Sequence, residues 1–123
     1  MMELTPLPCA LSVCRLRKGA AVDLNRDFYF LCRTDEELSL VCKTEDAPAD
    51  AEKRDDGWRA FRIRGELDFS LIGILSGISA LLARNGIGIF AVSTYNTDYI
   101  LTKEEDFARA LDALREAGYA VTR

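Results

Sequence analysis

The run STYNTD (93–98) and the run LIGILSGIS (71–79) hold the residues of this chain best suited to chemistry. An amino acid carries a carboxylate and an ammonium a few ångströms apart. A helix start offers unpaired N–H groups and a partial positive charge to the carboxylate. Gly73 lets the main chain approach such a group with no Cβ in the way. An aspartate opposite can hold the ammonium by a charge-assisted hydrogen bond. Asp98, beside the Asn96-Thr97 reversal, is the natural candidate, and Ser93 and Thr94 bring hydroxyls to the same region. None of these residues is a usual catalytic base. The set suits binding of a small zwitterion better than its turnover.

Each residue also has a plainer reading. Gly73 and Gly77, with Ser76 and Ala80 close by, can simply let a helix pack closely on a sheet. Asp98 can cap the hairpin turn. Ser93 and Thr94 can be ordinary cross-strand neighbours.

Composition excludes several function classes. The 123 residues carry a formal net charge of −4, so a phosphate backbone or an anionic membrane is not the expected partner. There is no histidine, which removes a hydrolase triad and any His-based zinc site. Cys9, Cys14, Cys32 and Cys42 form no Cys-x-x-Cys pair. The last three lie in apolar strand-like runs and read as small hydrophobes, not as metal ligands. Lys18, Lys43, Lys53 and Lys103 fall in polar surroundings, so no activated amine is expected. We expect no enzyme activity, no metal and no cofactor. The opening MMELTPLP does not read as a signal peptide. The most apolar run (71–83) is too short to span a bilayer. A cytoplasmic protein is expected.

The elements that must position the candidate residues follow from periodicity. LSVCRLR (11–17) alternates as a strand, and FYFLCRT (28–34) and LSLVCKT (38–44) read as a hairpin. Residues 45–57 are charged, contain Pro and Gly, and read as a solvated linker. A strand over 58–63 leads to an amphipathic helix with Ile74, Leu75, Ile78, Leu81 and Leu82 on one face. Ser70 or Asp68 can cap its start, and Asn85-Gly86 ends it. IGIFAVSTY (87–95) reads as a central strand buried on both faces or against another subunit. DYILT returns as the next strand. Thr102 and Glu105 form a T-x-x-E capping box for a second helix. Phe107, Ala110, Leu111 and Leu114 make its buried stripe, and Gly118 stops it. YAVTR closes the chain as a strand. The second half is therefore α+β, in the ferredoxin-like order βαββαβ. The first half is a strand-rich, helix-poor relative. An RNA-recognition module shares this element order, but the central strands lack its basic-aromatic pattern.

The stretch GELDFSLIGILSGISALLARNGIGIFAVSTYNTDYIL resembles the ACT domain, a regulatory module that binds amino acids, over residues 58–121. It is also similar to the ACT domains of the CASTOR arginine sensors, which share the STYxTD-like strand pair and the GI helix start. The first half resembles the N-terminal part of small bacterial ACT-domain proteins. The resemblance implies tandem ACT-like folds, no enzymatic activity, and a ligand site at a domain or subunit interface. It implies that Gly73 and Ile74 supply main-chain groups to the ligand. Ser93, Thr94 and Asp98 would supply polar side chains, with Asp98 on the ligand's positive charge. The chain is half as long as the sensors, so a full pocket would draw on its first half or on a second chain.

The expected organisation is a reduced ACT-like subdomain over 1–57, including the linker 45–57, and an ACT domain over 58–123. The expected function is a non-catalytic regulatory module that binds a small molecule, an amino acid above all, as a homodimer. The alternative is a protein–protein interaction or dimerisation module that needs no ligand.

Overall fold

The computed structural model describes residues 3–64 and 73–122. Ser70 and Asp68, the expected caps of the first helix, lie outside them. The chain divides into two compact units, residues 1–8 with 59–123, and residues 9–58.

The first unit is built on a mixed sheet in the order β6-β7-β5-β1-β8. Its strands are β1 (Glu3–Pro6), the second half of β5 (Lys53–Arg64), β6 (Phe90–Ser93), β7 (Asp98–Lys103) and β8 (Ala120–Val121). Helices α1 (Ile74–Arg84) and α2 (Glu104–Glu116) complete the expected βαββαβ succession. This is the ferredoxin-like α+β fold, with one addition. The N-terminal strand β1 lies between β5 and β8, antiparallel to the first and parallel to the second. Leu4 on β1 is fully buried beside Phe61, Ile63, Ile78, Leu82, Ile100 and Leu114. The expected boundary at 57/58 therefore separates β1 from the residues it packs with. The sequence hides this because four residues, ELTP, are too few to show a period.

Helix α1 buries Ile78 and Leu82, and α2 buries Phe107, Ala110, Leu111 and Leu114, the stripe read from the sequence. The first helix ends as expected. Asn85 donates its side-chain amide to the Leu81 carbonyl at 2.9 Å, and Gly86 takes φ 71°. The second helix starts differently. Its N-cap is Lys103, with no side-chain cap, so the T-x-x-E box does not form. Thr102 still belongs to β7, where alternation turns it inward and buries it completely. Glu104, Glu105 and Asp106 in the first turn meet the positive end of the helix dipole instead.

Two further expectations are corrected. β6 has four residues and stands at the edge of its sheet, beside β7 alone among the described strands. The central place goes to β7, and the buried Ile87 sits in the connection that precedes β6. The charged run 45–57 is not a linker throughout, since β5 begins at Lys53. Its first residues are exposed and charged, so they carry no apolar signal. Their strand character comes from pairing with β2.

The second unit has the strand order β3-β4-β2-β5. Its strands are β2 (Leu11–Leu16), β3 (Phe30–Arg33), β4 (Leu38–Lys43) and the first half of β5. Its core is Cys14, Leu16, Leu38, Leu40 and Cys42, covered by Ala20, Val22, Tyr29, Ala47 and Ala51. Loops here do what helices do in the first unit. The one helical piece is a 3-10 turn, Thr44–Asp46.

Candidate functional site

The turn between β6 and β7 gathers three of the five expected residues. Ser93 pairs directly with Asp98 across the two strands. Ile100 lies in the core that the helices cover, so alternation puts Asp98, and Ser93 opposite it, on the helix side of the sheet. Asp98 is half-buried and Ser93 is exposed. A hydroxyl and a carboxylate thus stand side by side at the end of the hairpin.

Thr94 shapes the turn itself. Its N–H donates to the Thr97 carbonyl at 2.8 Å, and its hydroxyl donates to the same carbonyl at 2.9 Å. The Thr97 N–H donates back to that hydroxyl at 3.3 Å. The capping role weighed for Asp98 is therefore filled by Thr94, whose hydroxyl is already engaged. Thr97, which the sequence reading placed only in the reversal, donates its hydroxyl to the Ile63 carbonyl. That bond fastens the hairpin tip to the end of β5. The recurrence of Thr three positions on from Thr94 was the only signal for it.

Gly73 and Ile74 stand at the start of α1. Gly73 is the N-cap with φ 89°, a left-handed conformation that side chains with a Cβ rarely adopt. Its carbonyl accepts the Gly77 N–H at 2.8 Å, the first bond of the helix. The reading that Gly77 and Ala80 ease the helix onto the sheet does not hold, because both are exposed and Ile78 and Leu82 face the core.

Topology orients α1 relative to the hairpin. Arg109, in the second turn of α2, donates to the Asn85 carbonyl at 2.5 Å. The C-terminal end of α1 is therefore beside the start of α2, which follows the far end of β7. The eleven residues of α1, about 16 Å of helix, run from there toward the end where the hairpin tip meets β5. Gly73 and Ile74 thus begin a helix at the end of the unit that carries Ser93 and Asp98. Such an arrangement offers unpaired N–H groups from one element and a hydroxyl–carboxylate pair from another. Of the five expected residues, only Asp98 could act as a general base. Among the described residues, no group of three or more Cys, Asp and Glu side chains could hold a metal ion.

Residues 53–116, from the start of β5 to the end of α2, match the ACT domain family. The chain belongs to the ACT domain family. None of the functionally curated proteins compared with this ACT protein matches it. Among solved structures, a protein from Agrobacterium tumefaciens is 33% identical, with a TM-score of 0.88 over 98% of this chain and 92% of that one. The regulatory subunit of aspartate kinase from Thermus thermophilus shares the fold at 12% identity, with a TM-score of 0.65 over 94% of this chain and 96% of that one. Clostridium acetobutylicum aspartate kinase, an allosteric enzyme, shares it at 13% identity and a TM-score of 0.68, over 94% of this chain and 34% of the kinase. The ACT domain is a regulatory, non-catalytic fold, and no helix among the described residues is long and apolar enough to cross a membrane.

Proposed function

We propose that this protein is a regulatory module that binds an amino acid and tunes a partner protein by linkage. The observation that carries the reading is the ACT family match, which spans the start of α1 and the β6–β7 hairpin together. In this reading the N–H groups after Gly73 and at Ile74 receive the carboxylate. Asp98 and Ser93 receive the ammonium, and Thr94 holds the turn that aims them. The exposure of Gly73, Ser93 and Thr94 argues that a second copy of the chain completes the pocket, in a cytoplasmic homodimer. We further propose that the two units are tandem ACT-like folds. Their shared connection order and hairpin register support this.

The test is a thermal-shift screen against the proteinogenic amino acids, with Asp98→Ala beside the parent protein. One ligand should raise the melting temperature, by a stabilisation of about 2.7 kcal/mol at a hundredfold excess over Kd. Asp98→Ala should abolish that rise without lowering the ligand-free melting point. A screen with no response from any amino acid would leave the second reading, an assembly module that needs no ligand. The apolar edge strand β6 favours that second reading.

A further inference from the structure

Alternation along the strands of the first unit gives its sheet a second face. Leu4, Ile63 and Ile100 belong to the core that the helices cover. Their neighbours Thr5 on β1, Arg62 on β5 and Tyr99 on β7 therefore lie on the opposite side of the sheet. Thr5 and Arg62 are direct cross-strand partners, and so are Val92 and Tyr99. Val92, Tyr99, Arg62 and Thr5 thus form one row across four neighbouring strands, and all four are half-buried.

Arg62 stands in the middle of this row with its donors only partly used. A guanidinium is always charged and carries five N–H donors. One of them reaches the Tyr99 hydroxyl at 3.3 Å, and the guanidinium lies 5.9 Å from the centre of that ring. Among the described residues no carboxylate forms an ion pair with it. Its Nε–H is buried and has no hydrogen-bond partner among them. A buried donor left so costs free energy unless water, an ion or a ligand meets it. Thr5 brings a second donor to the row. Its hydroxyl accepts from Thr122 at 3.1 Å, which leaves its own O–H to give. Arg59 shares the unmet Nε, but it stands on the helix side, over Phe107 at 4.7 Å and bonded to the Leu7 carbonyl at 3.0 Å.

We propose that this row is a second binding site, for a small carboxylate with a flat apolar body. The planar fork of Arg62 matches a carboxylate, with the Thr5 hydroxyl donating beside it. Tyr99 and Val92 offer an apolar surface to the body. Charge selects a monoanion over a phosphate. The neighbouring Arg64 has Glu3 directly opposite it, so the uncompensated charge of the row is that of Arg62. The site lies on the reverse of the face that carries Ser93 and Asp98, and it stands whether or not an amino acid binds there.

The experiment titrates phenylacetate into isotope-labelled protein and follows the Arg62 Nε–H signal by NMR. Phenylacetate has no ammonium for Asp98 to hold. The signal should move and saturate. Benzyl alcohol, which lacks the charge, and acetate, which lacks the apolar body, should each bind about 10-fold more weakly or worse. Phenyl phosphate should also bind more weakly than phenylacetate. Arg62→Gln should weaken phenylacetate binding by about 10-fold or more. Tyr99→Phe keeps the ring and removes the hydroxyl that holds Arg62, so it should weaken binding by less. Circular dichroism should show both variants folded, and if Arg62→Gln does not fold, the probe series on the parent decides. An Arg62 signal unmoved by phenylacetate would overturn the proposal. So would benzyl alcohol or phenyl phosphate binding as tightly as phenylacetate, or a folded Arg62→Gln variant that binds it as the parent does.

Discussion

The hairpins β3–β4 and β6–β7 lie sixty residues apart and share one frame. Phe30 pairs with Val41 as Phe90 pairs with Leu101, and the correspondence continues through Arg33 with Leu38 and Ser93 with Asp98. The turns share three bonds, and Thr34 adds a fourth by accepting from the Glu36 N–H at 3.1 Å. The Thr34 N–H donates to Glu37 at 2.9 Å, its hydroxyl donates to the same carbonyl at 3.4 Å, and the Glu37 N–H returns to that hydroxyl at 3.1 Å. Even the lysine that ends each second strand has the same backbone, φ −58° and ψ 141° at Lys43 against φ −63° and ψ 146° at Lys103. The frame is thus set by one threonine and by strand alternation. What the hairpin can do is set by the residues hung on it. Where one carries Ser93 and Asp98, the other has Arg33 and Leu38, so only the first offers a hydroxyl beside a carboxylate.

The chains diverge after those lysines. Lys103 opens a helix of 13 residues, whereas Lys43 opens a 3-10 turn of 3. Pro48 stands where α2 has Ala108, in the second turn. There its ring would clash with the previous turn, and it has no N–H to donate. The stripe is missing as well. Phe107, Ala110, Leu111 and Leu114 correspond to Ala47, Asp50, Ala51 and Arg54. A helix there would have little to bury, and its stability comes mainly from a buried face.

Truncating the matched core residues should give the largest effects and probe whether loops cover a core as tightly as helices do. Ile100 and Leu40 are both completely buried. Ile100→Ala, under two helices, should cost about 4 kcal/mol of unfolding free energy in urea titrations. Leu40→Ala should cost about 2 kcal/mol, because loops collapse into a cavity more readily than packed helices. Equal costs would mean that both cores are equally rigid.

An alkaline titration should separate the units next. Cys42 occupies the position that Thr102 holds in the other hairpin, and both are fully buried. Burial first and the neighbouring Cys14 next push the Cys42 thiol from 9.0 up to about 12. The folded chain then keeps a proton that the unfolded chain releases. The contribution is fully present below the unfolded pKa near 9, and it falls away as pH rises through that value toward about 12. The loss should reach on the order of 4 kcal/mol. Urea titrations across that window should show a steeper decline for the parent than for Cys42→Ala. Parallel profiles would refute the assignment to Cys42.

The smallest effect tests the frame itself. Thr34→Ala and Thr94→Ala each remove the two hydroxyl bonds shared with the residue three positions on, and Thr34→Ala also removes the bond from the Glu36 N–H; each should cost about 1 kcal/mol. Hydrogen exchange at Glu37 and Thr97 should accelerate to a similar degree in the two variants. A marked inequality would show that the turns resemble each other in geometry but not in energy.

Much of this was legible in the chain. Helices show a 3.6-residue period, so α1 and α2, their buried stripes and their glycine stops could be read directly, as could the alternation of β2, β3, β4 and β7. So could the ACT family and the gathering of Ser93, Thr94 and Asp98, because these lie close in sequence. Other features came from partners distant in sequence. A four-residue strand has no period, so only pairing with Ile63 and Val121 reveals that β1 belongs among the C-terminal strands. The charged start of β5 is a strand because β2 supplies its hydrogen bonds, although its side chains face water. An apolar run such as IFAVS fits an edge or a centre equally well, and only strand order put β7 inside β6. Local periodicity records which face of an element meets the core. Which element lies alongside is decided by long-range hydrogen bonds between groups that every residue carries, and so leaves little trace in residue type.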